Sequence, residues 1–81
     1  MLLSHVKQKL EQSLPGAIVE VSDESAGHIE HNPTGAHISL IVTYSGFKDK
    51  TLLQQHQMIY DILKEELQEK IHALKIKTRV R

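Results

Sequence analysis

There is no cysteine in these 81 residues, and that absence removes more chemistry than any other. Without thiols the chain forms no disulfide framework, offers no thiolate nucleophile, and holds neither zinc nor an iron–sulfur cluster through sulfur of its own. Any metal must be bound by histidine or carboxylate, or with ligands lent by another molecule. Aromatic residues are almost as scarce: one Phe, two Tyr and no Trp, too few to wall a substrate pocket. Neither sign of charge is in excess, because ten Lys and Arg balance ten Asp and Glu, so the molecule as a whole has no attraction for nucleic acid. No apolar run approaches the roughly 20 residues of a membrane span, and the opening MLLSHVKQKLEQSL has neither the apolar core nor the cleavage site of a signal peptide. The expected compartment is the cytosol, with no membrane partner. The length suits one small core rather than a cleft between two lobes, so residues 1–81 are expected to form a single domain.

What is present is periodic. Leu3, Val6, Leu10 and Leu14 recur at helical spacing until Pro15-Gly16 ends the pattern. Ala17 to Ser22 is short and rich in β-branched residues. Ala36 to Tyr44 alternates, with Ile38, Leu40 and Val42 on one face and His37, Ser39 and Thr43 on the other. These two stretches read as the strands of a hairpin, with Asn32-Pro33-Thr34-Gly35 supplying turn chemistry in a long connection. After the connector Ser45 to Lys50, Thr51 and Gln54 have capping-box spacing and should open a long helix with a core stripe of Leu52, His56, Ile59, Tyr60, Leu63 and Leu67. From Ala73 to Arg81 the period becomes two: Leu74, Ile76, Thr78 and Val80 oppose Lys75, Lys77, Arg79 and Arg81. The expected fold is α+β in the order αββααβ, with helices on one face of a three-stranded sheet.

Six histidines remain. His5 reads as a solvated surface residue and carries no assigned role. His56 reads as a half-buried imidazole satisfied by hydrogen bonds, and His37 as a structural or peripheral residue on the open side of the sheet or under the loop. Between the first two strands, His28 and His31 stand three apart near Glu30. On residue grounds two readings stay open there: exposed polar side chains, or a zinc-binding pair helped by a carboxylate. His72, at the end of the long helix, reads as a favourable charge at the helix C-terminus.

Asp23-Glu24-Ser25, His28, His37, Phe47, the run HQMIY from His56 to Tyr60, and Ile71-His72-Ala73-Leu74 together resemble the BolA family over nearly the whole chain, from Val19 to Thr78. The resemblance implies a fold similar to class II KH domains. It also implies a non-enzymatic partner of monothiol glutaredoxins in iron–sulfur trafficking or iron sensing. His72 would then be the invariant cluster ligand, His28 the second, and His31 a secondary substitute. The thiolates of a shared [2Fe-2S] cluster would come from the glutaredoxin and its bound glutathione, and the isolated protein would hold no cofactor.

The alternative the family implies is a DNA-binding transcriptional regulator. Lys75, Lys77, Arg79 and Arg81 would contact phosphate, or else an acidic protein partner. Against DNA, the turn Ser45 to Lys50 has one Gly where a KH clamp has two, with Asp49 and Gln55 where relatives often carry Gly and Arg; binding should be weak. An enzyme has least support, because no nucleophile and base pair or phosphate-binding Gly loop is present.

Overall fold

Helix α1 spans Leu2–Ser13 and turns Val6 and Leu10 wholly inward, with Leu14 just beyond its end also buried. Pro15 disfavours helical backbone at Leu14, and Gly16 takes the left-handed conformation (φ 84°) that reverses the chain. A computed structural model supplies these coordinates and describes residues 2–24 and 36–81.

Strand β1 (Ile18–Asp23) and strand β2 (Ala36–Tyr44) pair antiparallel, from Ile18 opposite Thr43 to Asp23 opposite Ile38. A single 3-10 turn, Ser45–Phe47, follows β2 and buries Phe47, whose ring meets Tyr44 edge to face at 5.3 Å. Helix α2 (Leu52–Ile62) opens with both halves of the expected capping box: Gln54 N–H donates to Thr51 Oγ1 at 3.1 Å, and Thr51 N–H to Gln54 Oε1 at 2.9 Å. The expected long helix is divided at Leu63, where the backbone leaves helical geometry (ψ 18°) before helix α3 (Lys64–Glu69). Strand β3 (Ile71–Val80) then pairs parallel to β2, giving a mixed sheet in the order β1-β2-β3.

All helices lie on one side of this sheet, as the α+β reading in the order αββααβ required. Val19, Ile38, Leu40 and Val42 meet Val6, Leu10, Phe47, Ile59 and Leu63 in one core. Burying each such aliphatic side chain contributes about 1.5–3 kcal/mol. Among the described residues nothing covers the other side of the sheet, whose rows run Ile18, Thr43, Arg79; Glu20, Ile41, Lys77; and Ser22, Ser39, Lys75.

The inward stripe of α2 and α3 differs from the expected one. Ile59 and Leu63 are buried, but Leu52 and Tyr60 are 62% and 40% exposed, and Gln55 and Glu66 take inward positions instead. The stripe is rotated toward two polar residues because each has fixed partners inside. Gln55 Nε2 donates to the carbonyls of Lys50 (2.9 Å) and Phe47 (3.4 Å), and its Oε1 accepts the Thr78 hydroxyl. A buried polar group so saturated is tolerated where an unpaired one is not.

Candidate functional site

The open face of the sheet ends, at the edge of the described residues near Ala36, in an irregularity. Ala36 pairs with Ile71 but His37 pairs with Ala73, so β3 advances two residues while β2 advances one, and His72 is the extra residue of a β-bulge. In a regular strand successive side chains alternate faces. The bulge suspends that rule for one step: Ile71 is buried, His72 and Ala73 are both exposed, and Leu74 turns back toward the core. His72 therefore sits inside β3 rather than at a helix end, and its ring centre lies 5.2 Å from that of His37 with the planes tilted by 35°.

His37 is half-buried on β2, one residue from the start of the strand. Its carbonyl accepts the Glu24 N–H at 2.7 Å, which extends the β1–β2 pairing one residue past Asp23. The Glu24 carboxylate in turn approaches Lys75 Nζ at 3.9 Å. Glu24, His37, Ala73 and Lys75, with Ile38 and Leu74, line a cleft of about 440 Å³. Among the described residues no group of three or more His, Asp or Glu converges as a complete metal site. Of the two imidazoles brought together on this face, the exposed His72 is free to take a ligand role and the half-buried His37 supports it.

The loop ligands expected from the sequence, His28 and His31, lie outside the described residues. His56 is half-buried on α2 as expected, but its Nε2 is buried with no hydrogen-bond partner among the described residues, contrary to the expected satisfaction. His5 is not idle: its Nε2 donates to Glu66 Oε2 at 2.5 Å, while Lys9 Nζ lies 3.0 Å from both Glu66 oxygens. Burial pushes the Glu66 carboxyl up, but the hydrogen bonds from His5 and Lys9 outweigh it and bring the carboxyl down to about 2. The same contact with Glu66 raises Lys9. This cluster pins α1 to α3 on the helical side, away from the open face.

Of the four cations assigned to β3, Lys75, Lys77 and Arg79 are exposed on the open face. Arg81 lies just past the strand and donates from its guanidinium to the Gly16 carbonyl at 2.6 Å, so it closes the far end of the sheet instead of continuing the row. In the turn before α2, a Cβ on Gly46 would collide with the Tyr44 ring. A side chain at Gly46 would thus displace the end of the Tyr44 ring. Asp49 holds a left-handed φ of 65°, the conformation glycine adopts without strain.

The bulge and the His37–His72 approach were not foreseen. The signal was present in Ile71-His72-Ala73-Leu74, where two apolar residues stand three apart at the head of a period-two strand.

Comparison with known proteins finds relatives of the chain as a whole. The family model described as BolA-like protein matches residues 10–81. BolA-like protein 1 of Mus musculus is 34% identical over 74 residues, covering 91% of this chain and 54% of its own length. The chain thus spans about half the length of the first such curated relatives. The DNA-binding transcriptional regulator BolA of Escherichia coli is 31% identical over 78 residues, covering 96% of this chain and 74% of the relative. In structure, the BolA domain of SufE1 from Arabidopsis thaliana superposes with a TM-score of 0.86 at 33% identity, covering 98% of this chain and 91% of that one.

Proposed function

This chain belongs to the BolA family, and from that premise we propose that it is a non-enzymatic adaptor that binds a monothiol glutaredoxin in the cytosol and shares a [2Fe-2S] cluster with it. The observation that carries the reading is the bulged His72 on an open sheet face, with His37 beside it. The donor set fits half of such a site and no more. Two imidazoles replace two thiolates on one iron in Rieske-type centres, and a chain without cysteine supplies only that half. His72 is the fixed ligand, His28 the second ligand from the loop, and His31 its poorer substitute. His37 braces the His72 ring. The remaining thiolates come from the glutaredoxin and glutathione.

Neutral imidazole as a ligand lowers the negative charge on the cluster and leaves when protonated. A site of this kind suits delivery or sensing.

The test mixes this protein with a cluster-loaded monothiol glutaredoxin and glutathione and follows the visible spectrum. A spectral change reporting nitrogen ligation is expected. His72→Ala should abolish it, His28→Ala should weaken it, and His31→Ala should do little. A spectrum equal to the sum of the separate proteins would sink the proposal.

A second reading, DNA binding, draws on the regulator names of two relatives, from Haemophilus influenzae and Escherichia coli, and on the exposed Lys75, Lys77 and Arg79. It is the weaker reading. Gln55 is buried, and the turn that would clamp a phosphate backbone uses its glycine for Tyr44. Binding to duplex DNA should be weak, without sequence preference, and lost steeply with salt.

A further inference from the structure

Among the described residues strand β3 has one neighbour in the sheet, β2, and its other edge is unpaired. The backbone N–H of Arg81 points to the Tyr44 carbonyl, and peptide groups alternate in direction along a strand. Residues 75, 77 and 79 therefore turn their backbone groups to β2, while Leu74, Ile76 and Thr78 turn theirs to the open edge. An unpaired edge of this length is a ready template for another strand. On the open face beside it run Lys75, Lys77 and Arg79, two residues apart and so about 6.6–6.8 Å apart in rise. Their row neighbours on β2 are Ser39, Ile41 and Thr43, all uncharged. Among the described residues Glu24 reaches Lys75, and neither Lys77 nor Arg79 has an ion-pair partner. A molecule of zero net charge thus carries one strand of single sign.

We infer that the free edge of β3 is a docking site for an extended acidic peptide segment, which adds as a fourth strand and places carboxylates at alternate positions beside Lys75, Lys77 and Arg79. The spacing is the argument. A paired strand repeats its side chains on one face at the same two-residue interval as the cations, so main-chain hydrogen bonds set the register and the charges select the sequence.

Two other occupants fit less well. A second copy would offer β1, whose open-face residues Ile18, Glu20 and Ser22 bring one carboxylate against three cations. Single-stranded nucleic acid needs a run of aromatic platforms for its bases, and no Phe, Tyr or Trp flanks Lys75, Lys77 and Arg79 on the open face: Tyr44 and Phe47 pack against each other, Tyr60 is on α2, and the His37 and His72 rings lie together at one end. The inference is independent of the cluster proposal, since it uses no metal ligand.

The test uses a fluorescein-labelled peptide, Thr-Glu-Val-Glu-Val-Glu-Thr, and an isomer of the same composition with its three Glu consecutive. The alternating peptide should bind several-fold more tightly by fluorescence anisotropy and should slow amide exchange at Leu74, Ile76 and Thr78. Lys77→Gln should weaken it by roughly two- to fivefold, the range of one exposed ion pair. The Lys77→Glu, Arg79→Glu double variant should lose more than tenfold while keeping wild-type core chemical shifts. His72→Ala should leave the affinity unchanged. Equal binding of the two isomers, or unchanged exchange at those amides, would overturn the inference. So would protection of the same amides by oligothymidine at lower concentration, or self-association that Lys77→Glu abolishes.

Discussion

The Thr78 hydroxyl donates to the side-chain carbonyl of Gln55, so one hydrogen bond joins the C-terminal part of β3 to the first turn of α2 on the helical side of the sheet. The amide end of Gln55 holds the chain between the 3-10 turn and α2 by its bonds to Phe47 and Lys50.

Gln55→Leu should therefore destabilise the domain by about 2 kcal/mol, because it removes three hydrogen bonds and leaves the half-buried Thr78 hydroxyl without its acceptor. For a domain of this size that corresponds to a fall in Tm of about 10 °C. Urea unfolding is the measurement. The double variant Gln55→Leu, Thr78→Val should lose less than the sum of the single variants, and strict additivity would mean that the two side chains do not interact.

Glu66 makes stability depend on acid. Its carboxyl sits at about 2 in the folded chain against an ordinary value of 4.5, so the folded state favours the ionised form. The sign follows: this contribution is fully present above about 4.5 and is lost as pH falls toward about 2. Urea midpoints for the wild-type chain should drop through that window. Those of Glu66→Gln should start lower at neutral pH and change less, with the two curves converging in acid. Parallel curves would show that His5 and Lys9 do not hold this carboxylate.

Asp49 carries strain that glycine would relieve. At φ 65° an L side chain costs about 1–2 kcal/mol, part of which glycine gives back through its greater freedom in the unfolded chain. Asp49→Gly should raise stability by about 0.5–1 kcal/mol, and Asp49→Val should lower it, as read from thermal melts. A destabilised Gly variant would point to a contact of the Asp49 carboxylate that outweighs the backbone term.

The elements that sequence pattern located well are those whose partners are apolar. Ala36 to Tyr44 is the strand predicted, end to end, because alternation of Ile38, Leu40 and Val42 over a hydrophobic core has one solution. Thr51 and Gln54 gave the start of α2 because a capping box is a local device, complete within four residues. Polar burial was illegible for the opposite reason. Nothing within α2 or α3 reveals that Gln55 meets Thr78, or that Glu66 meets His5 and Lys9, since those partners are distant in sequence. A hydrophobicity pattern therefore assigned the inward stripe to Leu52 and Tyr60. The third strand was expected from Ala73 and begins at Ile71, two residues early, because the bulge breaks the alternation that would have announced it. Of the candidate site, His72 was legible as a residue but not as a neighbour of His37.

That bulge also sets the phase of everything after it. With His72 as the supernumerary residue, Leu74, Ile76 and Thr78 fall toward the helices and Lys75, Lys77 and Arg79 toward water. Take His72 out, and Ala36–Ile71 and His37–Ala73 become successive pairs, so the strand alternates regularly and Lys75, Lys77 and Arg79 stay on the water side. Press His72 into the regular ladder instead, and every later residue moves one step, which exchanges the two faces and drives three cations into the core. The pairing of the sheet therefore has no need of residue 72. What its presence adds is one imidazole set outside the alternation, beside His37.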